Sequence, residues 1–155
     1  MINKQKKGVN IMKAKLIDIL LVEDNPGDVD LTREALEESK IKNNLYVAID
    51  GQQALDFLYK KGKYSDSPKP DLILLDLNLP NIDGRTVLEN IKEHKDLRRI
   101  PVVILTSSKA EEDIIKAYNL HANCYVQKPL DYNSFTEMVK NIELFWMGIV
   151  VLPTK

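Results

Sequence analysis

Four short apolar runs in this chain end in residues able to do chemistry. Ile17–Val22 runs into Glu23-Asp24, Leu72–Leu75 into Asp76, Val102–Leu105 into Thr106, and Cys124–Val126 into Gln127-Lys128. Each residue has a plainer use when taken singly. Asp76 could start a turn, Glu23 and Asp24 could cap a helix, Thr106 could do the same, and Lys128 could be an ordinary surface lysine. Their coincidence at strand ends, in the order acid pair, acid, hydroxyl, lysine, argues for a shared site. Three carboxylates brought close repel one another unless protons or a cation intervene. A hard divalent cation with oxygen ligands answers that repulsion. Mg2+ takes one or two carboxylates, keeps several waters and completes its shell with a phosphate oxygen. Lys128 supplies positive charge for such a phosphate, and Thr106 supplies a hydroxyl donor. A nucleophile, a metal and donors for the equatorial oxygens are what phosphoryl transfer to a carboxylate requires.

The elements that must position these groups follow from periodicity. A short run apolar at every position reads as a strand buried on both faces, the kind found in parallel sheets. Strands are predicted at Ile17–Val22, Leu45–Ile49, Leu72–Leu75, Val102–Leu105 and Cys124–Val126. Helices are predicted at Val29–Ser39, Gln52–Tyr59, about Arg85–Glu93, a segment opening with Glu111-Glu112-Asp113 and running to Leu120, and Asp131 to about Gly148. The stretch KKGKYSDSPKP reads as an exposed loop. Five strands alternating with five helices imply a flavodoxin-like, doubly wound α/β fold. Its five-stranded parallel sheet has order 2-1-3-4-5 and helices on both faces. That order places the first and third strands side by side at the switch point, so Glu23 and Asp24 meet Asp76. The second strand, at the margin, adds no comparable group.

Length and composition set bounds. The chain has 155 residues, 44% hydrophobic and 29% charged, with 22 basic and 23 acidic residues and a net charge of −1. This suits one domain with a real core and gives no argument for nucleic acid or a membrane surface as partner. One cysteine, Cys124, excludes an internal disulfide framework and accords with a cytoplasmic setting. No apolar run approaches the roughly 20 residues that span a bilayer. Residues 1–14 read as a disordered basic tail, with Met12 a second candidate start. Residues 15–155 read as one domain with an extended C-terminal helix and an apolar tail.

The pieces LLVEDN (Leu20–Asn25), LLDLNLPNIDG (Leu74–Gly84), PVVILTS (Pro101–Ser107) and YVQKPLD (Tyr125–Asp131) carry a resemblance. The chain resembles a response-regulator receiver domain of two-component signalling, the CheY-like family. The resemblance implies that Asp76 is the phosphoacceptor and that Glu23 and Asp24 are the acidic pair around Mg2+. It also implies that the main-chain carbonyl of Asn78 is a further ligand. Thr106 and Lys128 contact the phosphoryl group, and Tyr125 turns inward as Thr106 moves toward it. Lys128-Pro129 corresponds to the family's usual cis peptide, and Asn78 and Ser108 hold positions that tune hydrolysis. Many members carry two aspartates where this chain has Glu23-Asp24; Asp24 is favoured as the direct ligand. The insert before the third strand, RRIPVVILTSS, HANCYVQKP and IELFWMGIVVLP are similar to the stand-alone regulators that partner phytochrome-like histidine kinases.

The implied function is a switch rather than a metabolic enzyme, with a sensor histidine kinase as donor. Output must then pass through protein contacts. The segment Leu144–Leu152 is apolar on several sides, and Phe145, Trp146, Ile149 and Val151 are interface candidates for a homodimer. The alternative occupant of that surface is the domain's own core. A phosphorylation-independent dimeric adaptor of receiver shape is the rival function. A haloacid-dehalogenase-type phosphatase would need an acid where Asn78 stands, and a flavin phosphate would be repelled by Glu23-Asp24. His94 and His121 are isolated, and Cys124 reads as a core residue.

Overall fold

The computed structural model describes residues 16–106, 109–117, 122, 124–127, 131–133 and 135–141. The strands are β1 (Ile17–Val22), β2 (Asn43–Ala48), β3 (Leu72–Asp76), β4 (Val102–Thr106) and β5 (Cys124–Gln127). They form one parallel sheet of order β2-β1-β3-β4-β5, as the alternating pattern predicts. Between them run α1 (Pro26–Glu37), α2 (Gly51–Leu58), α3 (Gly84–Glu93) and α4 (Lys109–Ala117). Residues 132–133 and 135–141 are also helical.

The central strands β3 and β4 are buried at every position, which is why their sequences are apolar without alternation. Side-chain alternation sends Leu20, Val22, Ile73, Leu75, Val102 and Ile104 to one face, under α2, α3 and Ile115 of α4. Ile19, Leu21, Leu72, Leu74, Val103 and Leu105 go to the other, under Ala35 and Leu36 of α1 and Phe135, Met138 and Val139 of the last helix. Each fully buried aliphatic side chain contributes roughly 1.5–3 kcal/mol, so both faces hold the sheet rigid.

Local chemistry sets where the elements begin. α1 starts at Pro26, three residues before the apolar spacing suggests. Asn25 accepts a hydrogen bond from the Asp28 N–H at 3.1 Å, and Pro26 stands at the first helical position, where its missing N–H costs nothing. β2 starts at Asn43 rather than Leu45. Asn43 and Asn44 resemble a chain break, yet parallel pairing with Ile17 and Asp18 of β1 extends the strand over them. The Asn43 amide also donates to the carbonyls of Ile41 and Leu36. The loop after α2 is mostly exposed as expected, but it is anchored. Tyr64, in a short 3-10 turn, packs edge-on against Phe57, Ser67 Oγ donates to the Phe57 carbonyl at 2.9 Å, and Pro70 is buried.

The last helix is tied to α1 twice. Phe135 is fully buried between them and the sheet. The Tyr132 hydroxyl donates to Glu38, the residue that ends α1, and this bond raises the phenol above its ordinary pKa. The tail at 1–14, the continuation toward Gly148 and the segment 144–152 lie outside the described residues. Phe135→Ala should lower the unfolding free energy by about 3–5 kcal/mol, measured by urea denaturation.

Candidate functional site

The acidic site forms where β1 and β3 end together. Val22 pairs with Leu75, so Glu23 and Asp76, one residue further on, come level on neighbouring strands. The Glu23 N–H donates to the Ala48 carbonyl at 2.9 Å, carrying the β1–β2 ladder one residue past the strand. Glu23 is 0% exposed and Asp76 1%, while Asp24 is exposed. Carboxylate oxygens of Glu23, Asp24 and Asp76 all lie within 4.8 Å of one another. Thr106, 1% exposed, closes β4 one residue beyond Leu105, the partner of Asp76.

Asn25, not Glu23 or Asp24, caps α1. Glu23 Oε2 instead accepts from the main-chain N–H groups of Asp24 at 3.1 Å and Asn25 at 3.4 Å. Asp76 does begin a turn: its Oδ1 accepts from the Asn78 N–H at 2.9 Å. That bond orients the carboxylate as well as the turn. Asp83, not Asp76, caps α3. The turn folds back tightly, and a Cβ on Gly84 would stand 2.3 Å from the Asp76 carbonyl oxygen and 2.5 Å from Leu77 Cα. Only glycine permits that approach of α3 to the end of β3.

Tyr125 is half-buried on β5, packed toward the α2–α3–α4 face, with Lys116 Nζ 5.2 Å from its ring centroid. By strand alternation Thr106 faces the same side as Ile104, so the two share a face. Ser107, Ser108, Lys128, Pro129 and the interface candidates Phe145, Trp146, Ile149 and Val151 lie outside the described residues. A cavity of about 320 Å3 lined by Arg33, Glu37, Asn43, Asn44, Leu45 and Tyr46 runs along the edge strand and shares no residue with the acidic site.

The described site holds an all-oxygen donor set of three carboxylates, two of them buried, beside a hydroxyl at the carboxyl edge of a parallel sheet. This suits a hard divalent cation and an incoming oxyanion. Among known proteins, the family model for the response regulator receiver domain matches residues 19–140. The chain belongs to that family.

Among its relatives is the response regulator Rcp1 of Synechocystis sp., 50% identical over 135 residues, which take in 87% of this chain and 92% of Rcp1. The crystal structure of the Mn2+-bound form of Rcp1 superposes with a TM-score of 0.75, covering 84% of this chain and 94% of that one. The phosphorylated cyanobacterial phytochrome response regulator RcpA is 45% identical with a TM-score of 0.77, covering 86% and 95%. This receiver is therefore a response regulator homologous to phytochrome response regulators, and its fold is that of the family. Receiver domains bind a divalent metal, and Rcp1 has been seen with Mn2+. No helix among the described residues is long and apolar enough to cross a membrane.

Sequence reasoning gave no role to Asp50, two residues beyond the end of β2. Its Oδ1 caps α2 by accepting from Gln53 N–H at 2.7 Å, and Gln53 Oε1 in turn accepts from Ile49 N–H at 3.1 Å. The spacing Asp-x-x-Gln is the visible signal of such a helix start, with Gln53 here taking the N–H of Ile49, the residue before the cap. A divalent cation at about 100 times its Kd should raise the unfolding free energy by about 2.7 kcal/mol. Asp24→Ala should remove most of that gain and EDTA all of it, as read from thermal melts.

Proposed function

We propose that this receiver takes a phosphoryl group from a phosphohistidine of a sensor histidine kinase onto Asp76, with Mg2+ as the resident cation. The observation that carries this is the buried Asp76 carboxylate held by the Asn78 N–H within 4.8 Å of two further carboxylates. A carboxylate oxygen of Asp76 attacks phosphorus as the P–N bond of the donor breaks, and the electron pair returns to the imidazole. The acyl phosphate later hydrolyses, releasing inorganic phosphate and restoring the carboxylate.

Glu23, Asp24, Asp76 and the Asn78 carbonyl would hold the cation, with Asp24, the exposed member, as the readiest direct ligand. When bound, the cation neutralises the clustered carboxylates and the incoming phosphoryl charge. Thr106 donates its hydroxyl and Lys128 its ammonium to the phosphoryl oxygens. The Lys128-Pro129 peptide is cis in this reading. New charge at Asp76 draws Thr106 toward it and Tyr125, on the same face, follows, so a local electrostatic event reshapes the surface around α4 and β5.

The kinase is of the phytochrome-like kind, in keeping with relatives that are phytochrome response regulators. The setting is the cytoplasm. The signal leaves through a homodimer formed by Phe145, Trp146, Ile149 and Val151, whose apolar character supports an interface.

Purified protein incubated with Mg2+ and acetyl phosphate should gain the mass of one phosphoryl group. Asp76→Asn, or omission of Mg2+, should abolish the adduct. Absence of an adduct, together with absence of a beryllofluoride complex, would instead favour a phosphorylation-independent adaptor. By size exclusion, the wild type should elute as a dimer and Trp146→Ala as a monomer; a monomeric wild type, with and without phosphorylation, would remove the dimer from this reading.

A further inference from the structure

The loop between β3 and α3 carries Asn78, whose N–H holds Asp76. It is fixed at its ends by Leu77 N–H to the Leu105 carbonyl at 3.1 Å and Gly84 N–H to the Leu77 carbonyl at 3.0 Å. Its middle is fixed from outside. Asn81 Nδ2 donates to Asp50 Oδ2 at 2.9 Å, while the other oxygen of Asp50 caps α2. An ionised aspartate only accepts, so Asn81 must present its amide nitrogen. Asn81 sits at φ +66°, a left-handed conformation that asparagine tolerates better than most side chains. Beside this bond the two backbones touch: a Cβ on Gly51 would stand 1.9 Å from the Ile82 carbonyl oxygen. Thus the N-terminus of α2 grips the loop at two adjacent places, one polar and one steric.

We infer that Asp50 and Asn81 are positioning residues that clamp this loop and thereby set the affinity of the acidic site for its divalent cation. The inference rests on the reading of Asp76, Asp24 and Asn78 as the metal site. The clamp holds the loop, the loop holds the Asn78 N–H, and that N–H orients Asp76. Neither Asp50 nor Asn81 belongs to the acidic cluster itself. With the clamp removed, the loop keeps its ties near Leu77 and Gly84, the Gly51–Ile82 contact and the packing of Leu79 and Ile82 on the core, but loses its side-chain hydrogen bond to the start of α2. Asp76 and the Asn78 carbonyl then spend less time in the arrangement that a cation needs.

Two variants remove the clamp by different routes. Asn81→Gly deletes the amide while keeping a residue at ease at positive φ. Asp50→Ser keeps an oxygen for the Gln53 N–H and deletes the second acceptor. Asp50→Asn is the conservative control: it keeps the cap oxygen and offers an amide to Asn81 Oδ1 once the Asn81 side chain rotates. Ala35→Gly, in α1, lowers stability without touching the loop. Mn2+ affinity would be measured by electron paramagnetic resonance, and hydrogen exchange at the Asn78 amide would be followed in metal-free protein. Asn81→Gly and Asp50→Ser should bind Mn2+ roughly threefold to tenfold more weakly, the scale of one net hydrogen bond. The Asn78 amide should exchange faster in both. Asp50→Asn and Ala35→Gly should keep wild-type affinity. Unchanged affinity in both clamp variants would overturn the inference, as would an equal loss in Ala35→Gly. If the wild type takes no phosphoryl group, the reading of Asp76 as acceptor falls instead. The Asn78 exchange rate reports on the clamp independently of that chemistry.

Discussion

The constraint on which this structure depends is electrostatic: three carboxylates are held within 4.8 Å of one another, two of them buried. Like charges at that distance repel and push the strand ends apart. Only a stiff support can hold them there. The support is the pair β1 and β3, joined in parallel register and covered on both faces by apolar side chains. The energy that keeps the acids together therefore comes from burial elsewhere, in residues such as Leu74, Leu75 and Phe135 that touch no ligand. The same repulsion makes the site receptive to a divalent cation, because a cation relieves a cost that the fold already bears.

Around that centre the main chain does much of the orienting. Glu23 is held by the amides of Asp24 and Asn25, and Asp76 by the amide of Asn78. A carboxylate held by backbone N–H groups keeps its direction without relying on long, mobile side chains. Thr106 and Tyr125 stand on the α2–α3–α4 face, whereas Glu23 and Asp76 fall, by alternation, with the α1 face. The site thus straddles the sheet edge, where an event at the acids can reach the face that carries Tyr125 and Lys116.

Much of this was legible from residue order, for identifiable reasons. β3 and β4 are apolar at every position because both their faces are covered, so their strand character and parallel setting could be read without a structure. The acid pair, Asp76 and Thr106 stood out because each ends such a run. Where apolar spacing was the only guide, boundaries slipped. α1 begins at Pro26 because capping, not periodicity, starts a helix, and β2 extends over Asn43 and Asn44 because an edge strand needs backbone partners more than apolar side chains.

The sequence by itself determined the family, the strand order and the three carboxylates that meet at the carboxyl edge. Those features rest on local periodicity and on polar residues at strand ends, and both are written along the chain. Tertiary structure alone decided that Asp50 reaches Asn81 across 31 positions, that Gly51 lies against the Ile82 carbonyl, and that Gly84 lies against Asp76. It also decided which acid is exposed and which are buried. These are facts about the distance between segments remote in sequence, and side-chain pattern carries no distance until packing brings the segments together.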